Sequence, residues 1–187
     1  MAVPTQSRNA HSLEPYAAGR HDFGMTSSDH VRPAVLFVCL GNICRSPLAE
    51  AAFREAAEKA GLDAVADSAG TSDYHVGAPP DPRSVDTARD AGIDISHYRG
   101  RQIEAADFTR FTHIYAMDHQ NLRNLEAIKP AEATAQVALL LDAVTGREGA
   151  AIADPYYDGE DRFEDTWADA REAADAIVSQ LLAASRP

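Results

Sequence analysis

In the stretch VLFVCLGNICRSPLAE, Val35 to Glu50, five residues separate Cys39 from Arg45. A thiol and a guanidinium at this spacing gain meaning from their surroundings, an apolar run before and a helix-like pattern after. A loop wedged between a strand end and a helix start turns successive backbone N–H groups toward one point, and the helix macrodipole adds positive potential there. Such a place binds an anion. Helix N-termini and nearby cations also stabilise thiolates, which makes Cys39 a candidate nucleophile at neutral pH. Arg45 supplies a planar fork that can hold two phosphoryl oxygens from tetrahedral substrate to trigonal bipyramidal transition state, which a lysine cannot do bidentately. Gly41 and Asn42 tolerate the left-handed backbone that an inward-curling loop requires. Ser46 is placed both to donate a hydrogen bond to the thiolate and to cap the helix.

Other readings of the cysteines are weaker. A structural zinc site needs four ligands, and no second cysteine or histidine cluster accompanies Cys39 and Cys44. A redox pair of the Cys-x-x-Cys kind fails on spacing, although curvature of the loop can bring the two sulfurs near each other. A nucleotide-binding G-x-x-x-x-G-K-[ST] loop is absent. An ordinary core cysteine at a strand end is the bland alternative for Cys39, and it leaves Arg45 unexplained.

A thiolate that attacks phosphorus expels an alkoxide or phenoxide, so a general acid must approach from elsewhere in the chain. The stretch IADPYYDGED offers Asp154, in a polar, proline-stiffened loop. Asp-Pro is in general a turn signal, so the pairing with the cysteine loop is what singles it out. Asp158, Glu160, Asp161, Glu164 and Asp165 read as a solvated acidic face near a helix start.

These residues need elements to position them. Ala34 to Cys39 is a continuous apolar run of strand length, as expected for a strand buried on both faces. Ser46-Pro47 reads as an N-cap followed by proline at the first helical position, opening an amphipathic helix that stops at Gly61. Val65 to Ala69 reads as a strand, and Asp81-Pro82 opens a second helix ended near Gly92. Thr112 to Met117 reads as a third strand, followed by a helix over about His119 to Lys129 with its stop at Pro130. Val137 to Leu141 is a fourth strand. A last helix spans roughly Phe163 to Ala184, where Phe163, Trp167, Ala170, Ala174, Ile177 and Leu181 recur at helical spacing. Strands alternating with helices predict an α/β fold, a parallel sheet covered by helices on both faces, with ligands beyond the carboxyl ends of its strands.

Composition excludes several classes. The chain has 187 residues, 45% of them hydrophobic, enough for one core and little more. Its net charge is -12 and only Lys59 and Lys129 are lysines, which argues against nucleic acid as a partner. The longest apolar runs fall well short of the roughly 20 residues of a membrane span, and the first residues carry no apolar segment of a signal peptide. The expectation is a protein of the cytoplasm without membrane partners. Met1 to Pro33 lacks apolar periodicity and is expected to be a flexible extension, with the folded domain over 34–187. His11, His21 and His30 within it suit no usual metal spacing.

Together, VCLGNICRSPLAE and DPYYDG resemble the low-molecular-weight protein tyrosine phosphatases; SAGT at Ser68 to Thr71, Pro-Asp-Pro-Arg at Pro80 to Arg83, and Met117-Asp118 add to the likeness. The resemblance implies a four-stranded parallel sheet with the phosphate-binding loop after the first strand. It implies Cys39 as nucleophile, Arg45 as phosphate clamp and Asp154 as general acid and then base, with phosphate held by Leu40, Gly41, Asn42, Ile43, Cys44 and Arg45. Asn42 would hold the loop and Ser46 would tune the departing thiolate. Cys44 would form a reversible disulfide with Cys39 under oxidation. The substrate implied is a phosphotyrosine-containing protein or peptide, with no metal and no organic cofactor. Tyr74, where the family commonly has tryptophan before the residue matching His75, would share the rim with Tyr156 and Tyr157; packing beneath the acid loop is an alternative for Tyr157. Related arginine phosphatases tend to carry threonine where this chain has Ile43 and to lack the tyrosine pair. Arsenate reduction would need relay cysteines beyond Cys44, and none follows. A binding module without turnover is expected to have lost the nucleophile or the acid, and both are kept.

Overall fold

The computed structural model describes residues 32–157, 159 and 161–185. His11, His21 and His30, almost all of the expected extension, and the acidic residues Asp158 and Glu160 lie outside the described residues. The apolar run forms β1 (Ala34–Cys39), buried almost throughout. Because side chains alternate along a strand, β1 divides its residues between two faces. Val35, Phe37 and Cys39 join Phe53 of α1 (Arg45–Ala60) and Ala174 and Ile177 of α5 (Asp161–Ala184). Leu36 and Val38 join Phe108 of the short α3 (Asp107–Arg110) and Leu125 of α4 (His119–Ile128) on the other. A strand covered on both sides has no polar positions to spare, hence the unbroken apolar sequence.

The sheet is entirely parallel, with β1 flanked by β2 (Val65–Gly70) and β3 (His113–Ala116), and β4 (Gln136–Leu139) outside β3. The chain leaves β1 to one side and later returns to its other side, so a topological switch point lies between the carboxyl ends of β1 and β3. Cys39 is the last residue of β1 and Asp118 follows β3 closely. α2 (Pro82–Asp90) starts as its sequence signal indicates, with the Asp81 carboxylate accepting the Arg83 N–H at 2.9 Å and proline in the first turn. Gly61, at φ +69°, closes α1 by donating to the Ala57 and Glu58 carbonyls.

Two expectations need correction. Ser46 is not an N-cap: α1 begins at Arg45, Cys44 holds the cap position without a side-chain cap bond, and the serine hydroxyl faces the Cys39 sulfur. Pro47 then sits third in the helix, where its missing N–H still falls among the donors that lack intrahelical partners. The fourth strand ends at Leu139, and Leu140–Ala143 turn into a 3₁₀ helix as the Asp142 carboxylate accepts the Leu139 N–H at 3.1 Å. Both leucines stay buried, so an apolar run could not mark where the strand stopped. The last helix starts at Asp161, two residues before Phe163.

Gly70, where β2 ends, lies against the loop that follows β1. A Cβ there would stand 2.8 Å from the Leu40 carbonyl oxygen and 3.1 Å from that of Ser72. Gly70→Ala is expected to lower unfolding free energy by about 1–3 kcal/mol, the usual effect of overpacking, as measured by urea denaturation. An unchanged midpoint would mean that the contact constrains nothing.

Candidate active site

The loop Leu40–Cys44 departs from the buried end of β1 and delivers the chain into α1. Its carbonyls are tied to the outside: Thr71 donates to Cys39, Ser72 to Leu40 and Asp81 to Ile43, all at 2.8–2.9 Å. The Asn42 N–H lies 3.2 Å from the Cys39 sulfur. The Ser46 hydroxyl is 3.1 Å from the same sulfur. Asn42, at φ +58°, is the one non-glycine residue in the left-handed region among the described residues. Its side chain holds that conformation from three directions: the amide donates to Ser46 (3.0 Å) and Ser68 (2.9 Å), and its oxygen accepts the Arg101 N–H (2.9 Å). Ser68 in turn donates to the buried Glu50 carboxylate at 2.7 Å, which also accepts from Arg54 at 2.8 Å.

Arg45 is 3% exposed, and its guanidinium is shared among three groups from two parts of the chain. Nη1 donates to Asp118 at 2.6 Å and to the Ile152 carbonyl at 3.1 Å, while Nη2 donates to Asp154 at 2.7 Å. Burial disfavours its charge, yet Cys39, Asp154 and Asp118 outweigh burial and raise its pKa. Nε is buried without a hydrogen-bond partner. An unsatisfied donor on a cation is costly unless an acceptor reaches it, and an anion oxygen in the loop is suited to do so.

The loop carrying Asp154 reaches the site because Ile152 donates to the Met117 carbonyl at 2.8 Å, fastening the chain beside the end of β3. Asp154 follows, part exposed, its second oxygen accepting the Tyr156 N–H at 3.2 Å. Cys39, Leu40, Gly41, Ile43, Cys44, Arg45, Tyr74, His75, Asp154, Tyr156 and Tyr157 line one cavity of about 220 Å³. Asn42 and Ser46, both buried, act through their hydrogen bonds to the loop. Tyr157 does not pack beneath the loop: it is 93% exposed and meets Tyr156 edge-on at 5.0 Å between ring centroids. Tyr74 is 76% exposed at the mouth, and His75 lies so close over Gly41 that a Cβ there would come within 2.8 Å of its ring. Asp161, Glu164 and Asp165 are exposed around the start of α5. Cys44 packs with Leu48, Val85 and Phe163, and its thiol is pushed well up by burial and by the negative charges of Cys39, Asp81 and Asp154.

Sequence reasoning named Asp118 only as part of the family likeness and gave it no role; it caps α4 by accepting the Asn121 N–H at 2.7 Å while pairing with Arg45. An aspartate between an apolar strand and a helix was a visible cap signal, and its second duty was not. Sequence reasoning missed the Ser68–Glu50 support behind the loop, because Glu50 sits in a helical pattern where a glutamate reads as surface. Among the described residues no group of three or more His, Cys, Asp or Glu could hold a metal ion, and no helix is long and apolar enough to cross a membrane.

A family model described as low molecular weight phosphotyrosine protein phosphatase matches residues 34–186. The low molecular weight phosphotyrosine protein phosphatase of Schizosaccharomyces pombe is 46% identical over 136 residues, covering 71% of this chain and 86% of the relative. Among solved structures, YfkJ from Bacillus subtilis matches with a TM-score of 0.78 at 35% identity, over 85% of this chain and 100% of its own. A Drosophila arginine phosphatase matches with a TM-score of 0.73 at 34% identity, over 78% and 96%.

The support behind the loop makes two measurable differences. Asn42→Ala strands the Arg101 N–H and forces alanine into the left-handed region, and is expected to lower unfolding free energy by about 1–3 kcal/mol in denaturant titrations. Glu50 gives a pH dependence. Burial raises its carboxyl above the ordinary value against the opposing pull of Ser68 and Arg54. The unfolded chain therefore releases this proton at lower pH than the folded protein, and native stability is lost as pH climbs from the ordinary value toward the raised one. Relative to the unsubstituted protein, Glu50→Gln should gain stability over that climb, which starts at about pH 4. A stability difference flat with pH would contradict the raised value.

Proposed function

The chain belongs to the low molecular weight phosphotyrosine protein phosphatases, and from that premise we propose that it hydrolyses phosphotyrosine through a phosphocysteine at Cys39. The observation that carries this reading is the Arg45 guanidinium, which joins the Asp154 carboxylate at 2.7 Å on the wall of the cavity that also exposes Cys39. The arriving phosphate takes the loop N–H groups and the guanidinium fork, Nε included, and releases Asp154, which takes up a proton from solvent and faces the leaving oxygen. The Cys39 sulfur attacks phosphorus as the bond to the phenolic oxygen breaks, and Asp154 gives that oxygen its proton. In the second step Asp154 takes a proton from water as the water oxygen attacks phosphorus. The Cys39–phosphorus bond then breaks, the sulfur leaves as thiolate, and the Ser46 hydroxyl and Asn42 N–H stand ready to receive its charge.

Tyr74, Tyr156 and Tyr157 around the mouth support an aryl substrate, since a phenyl ring can stack among them while its phosphate reaches the loop. The phosphotyrosine-containing protein or peptide is thus the proposed partner. The family match beginning at residue 34 supports reading residues 1–33 as an extension outside the catalytic unit.

Cys39→Ser is expected to abolish hydrolysis of aryl phosphates; a retained rate would refute the covalent route. Asp154→Ala should slow poor leaving groups by roughly 10²- to 10⁴-fold, the range of general acid catalysis, and equal loss on good leaving groups would contradict the role. Peptides carrying phosphotyrosine, phosphoserine or phosphoarginine, assayed side by side, should show preference for phosphotyrosine.

A further inference from the structure

Arg83 stands outside the cavity, yet it touches both walls that must act together. Its guanidinium grips Asp81 with Nε at 3.0 Å and Nη2 at 2.9 Å, and the same Nη2 donates to the Tyr156 carbonyl at 3.1 Å. The Asp81 N–H in turn donates to the Ile43 carbonyl of the phosphate loop at 2.8 Å. One short segment at the start of α2 thus fastens the loop carrying Cys39 on one side and the loop carrying Asp154 on the other. Phe163, in the first turn of α5, fixes the plane of the guanidinium, which lies 4.4 Å from its ring centroid.

The fastening matters because Arg83 bonds the acid loop just beyond Asp154. Pro155 is buried, whereas Tyr156 and Tyr157 are exposed, and the Tyr156 N–H donates to Asp154 itself. The Ile152–Met117 bond secures the approach to Asp154, and Arg83 secures the exit. Arginine suits the position where lysine does not, because a carboxylate, a carbonyl and a ring face are engaged at once by a planar fork.

We propose that Arg83 is a positioning residue for general acid catalysis, setting the reach of the Asp154 carboxyl to the leaving oxygen by clamping the Tyr156 carbonyl to the Asp81 turn. The inference rests on the reading of Asp154 as the acid. A proton donor displaced by about 1 Å loses up to about 10²-fold in rate, and the loss is confined to reactions that need the proton.

The test is kcat/KM across a series of aryl and alkyl phosphates of graded leaving-group acidity, because this parameter reports phosphoenzyme formation. Arg83→Met, which keeps an apolar stem over Phe163, should lose roughly 10- to 100-fold on the poorest leaving groups and less than about threefold on the most acidic phenols, whose departure needs no proton. Arg83→Lys should fall between and carries the test if the methionine variant unfolds. In an Asp154→Ala background, adding Arg83→Met should change the rate on poor leaving groups by less than about twofold, as expected of two residues acting through one group. Equal losses on all leaving groups, no loss, or additive losses in the double variant would overturn the proposal. If Asp154→Ala itself shows no leaving-group dependence, the acid assignment fails and Arg83 loses its role with it. If Asp154→Ala shows that dependence and Arg83→Met does not, only the role of Arg83 fails.

Discussion

A guanidinium as buried as that of Arg45 must be met by negative charge, since leaving one charge of a buried set uncompensated strongly destabilises a fold. Much of the architecture serves that demand. Asp118 arrives from the end of β3, Asp154 from the loop before α5, and the Ile152 carbonyl from the same loop. The Cys39 sulfur, at the end of β1, adds a further influence that favours the charged guanidinium. These segments can meet only at a switch point, where neighbouring parallel strands send their chains in opposite directions and leave a crevice. The parallel sheet is the frame that collects counter-charges around one cation, whose Nε is buried without a hydrogen-bond partner.

The same site depends on a residue in an uncommon backbone conformation. Asn42 lies in the left-handed region, and the contacts that hold it there run outward through Ser68 to Glu50 and Arg54, and through its carbonyl to Arg101. A carboxyl buried behind the loop is an expensive support, as its raised protonation range indicates. Its benefit is rigidity: the bonds at Asn42 fix where loop N–H groups point, which an anion cradle needs before any anion arrives. Stability is given up behind the loop in exchange for geometry in front of it.

What could be read from the sequence divides along the same line. Strands and helices were legible because burial on two faces leaves an unbroken apolar run in β1, and because Asp81-Pro82 and Gly61 mark helix ends by local chemistry. Cys39, Arg45 and Asp154 were legible as a group, because a thiol and a guanidinium between strand and helix pointed to an anion site and a second polar loop was expected at the same sheet edge, and the three line one cavity. Asp118, Ser68 and Glu50 were not, since each has an ordinary local role as cap, strand residue or helix residue, and the duty at the site comes from partners 18 to 73 residues away. Ser46 shows the opposite failure: its local signal as a cap was plain, and the tertiary demand of the Cys39 sulfur overrode it.

The two cysteines show how far environment outweighs residue type. Only five positions apart, both are buried free thiols. Cys39 faces an amide N–H and a serine hydroxyl, beside the Arg45 cation. Cys44 turns into the apolar cluster between α1, α2 and α5, where burial and the nearby negative charges of Cys39, Asp81 and Asp154 hold its proton on. The Arg83 guanidinium pulls the other way, but it is the smallest of these influences. The loop thus separates the two sulfurs electrostatically by pointing one at hydrogen-bond donors and the other at carbon and carboxylates. A thiol kept neutral does not compete for the incoming phosphorus, since the thiolate is the nucleophilic form.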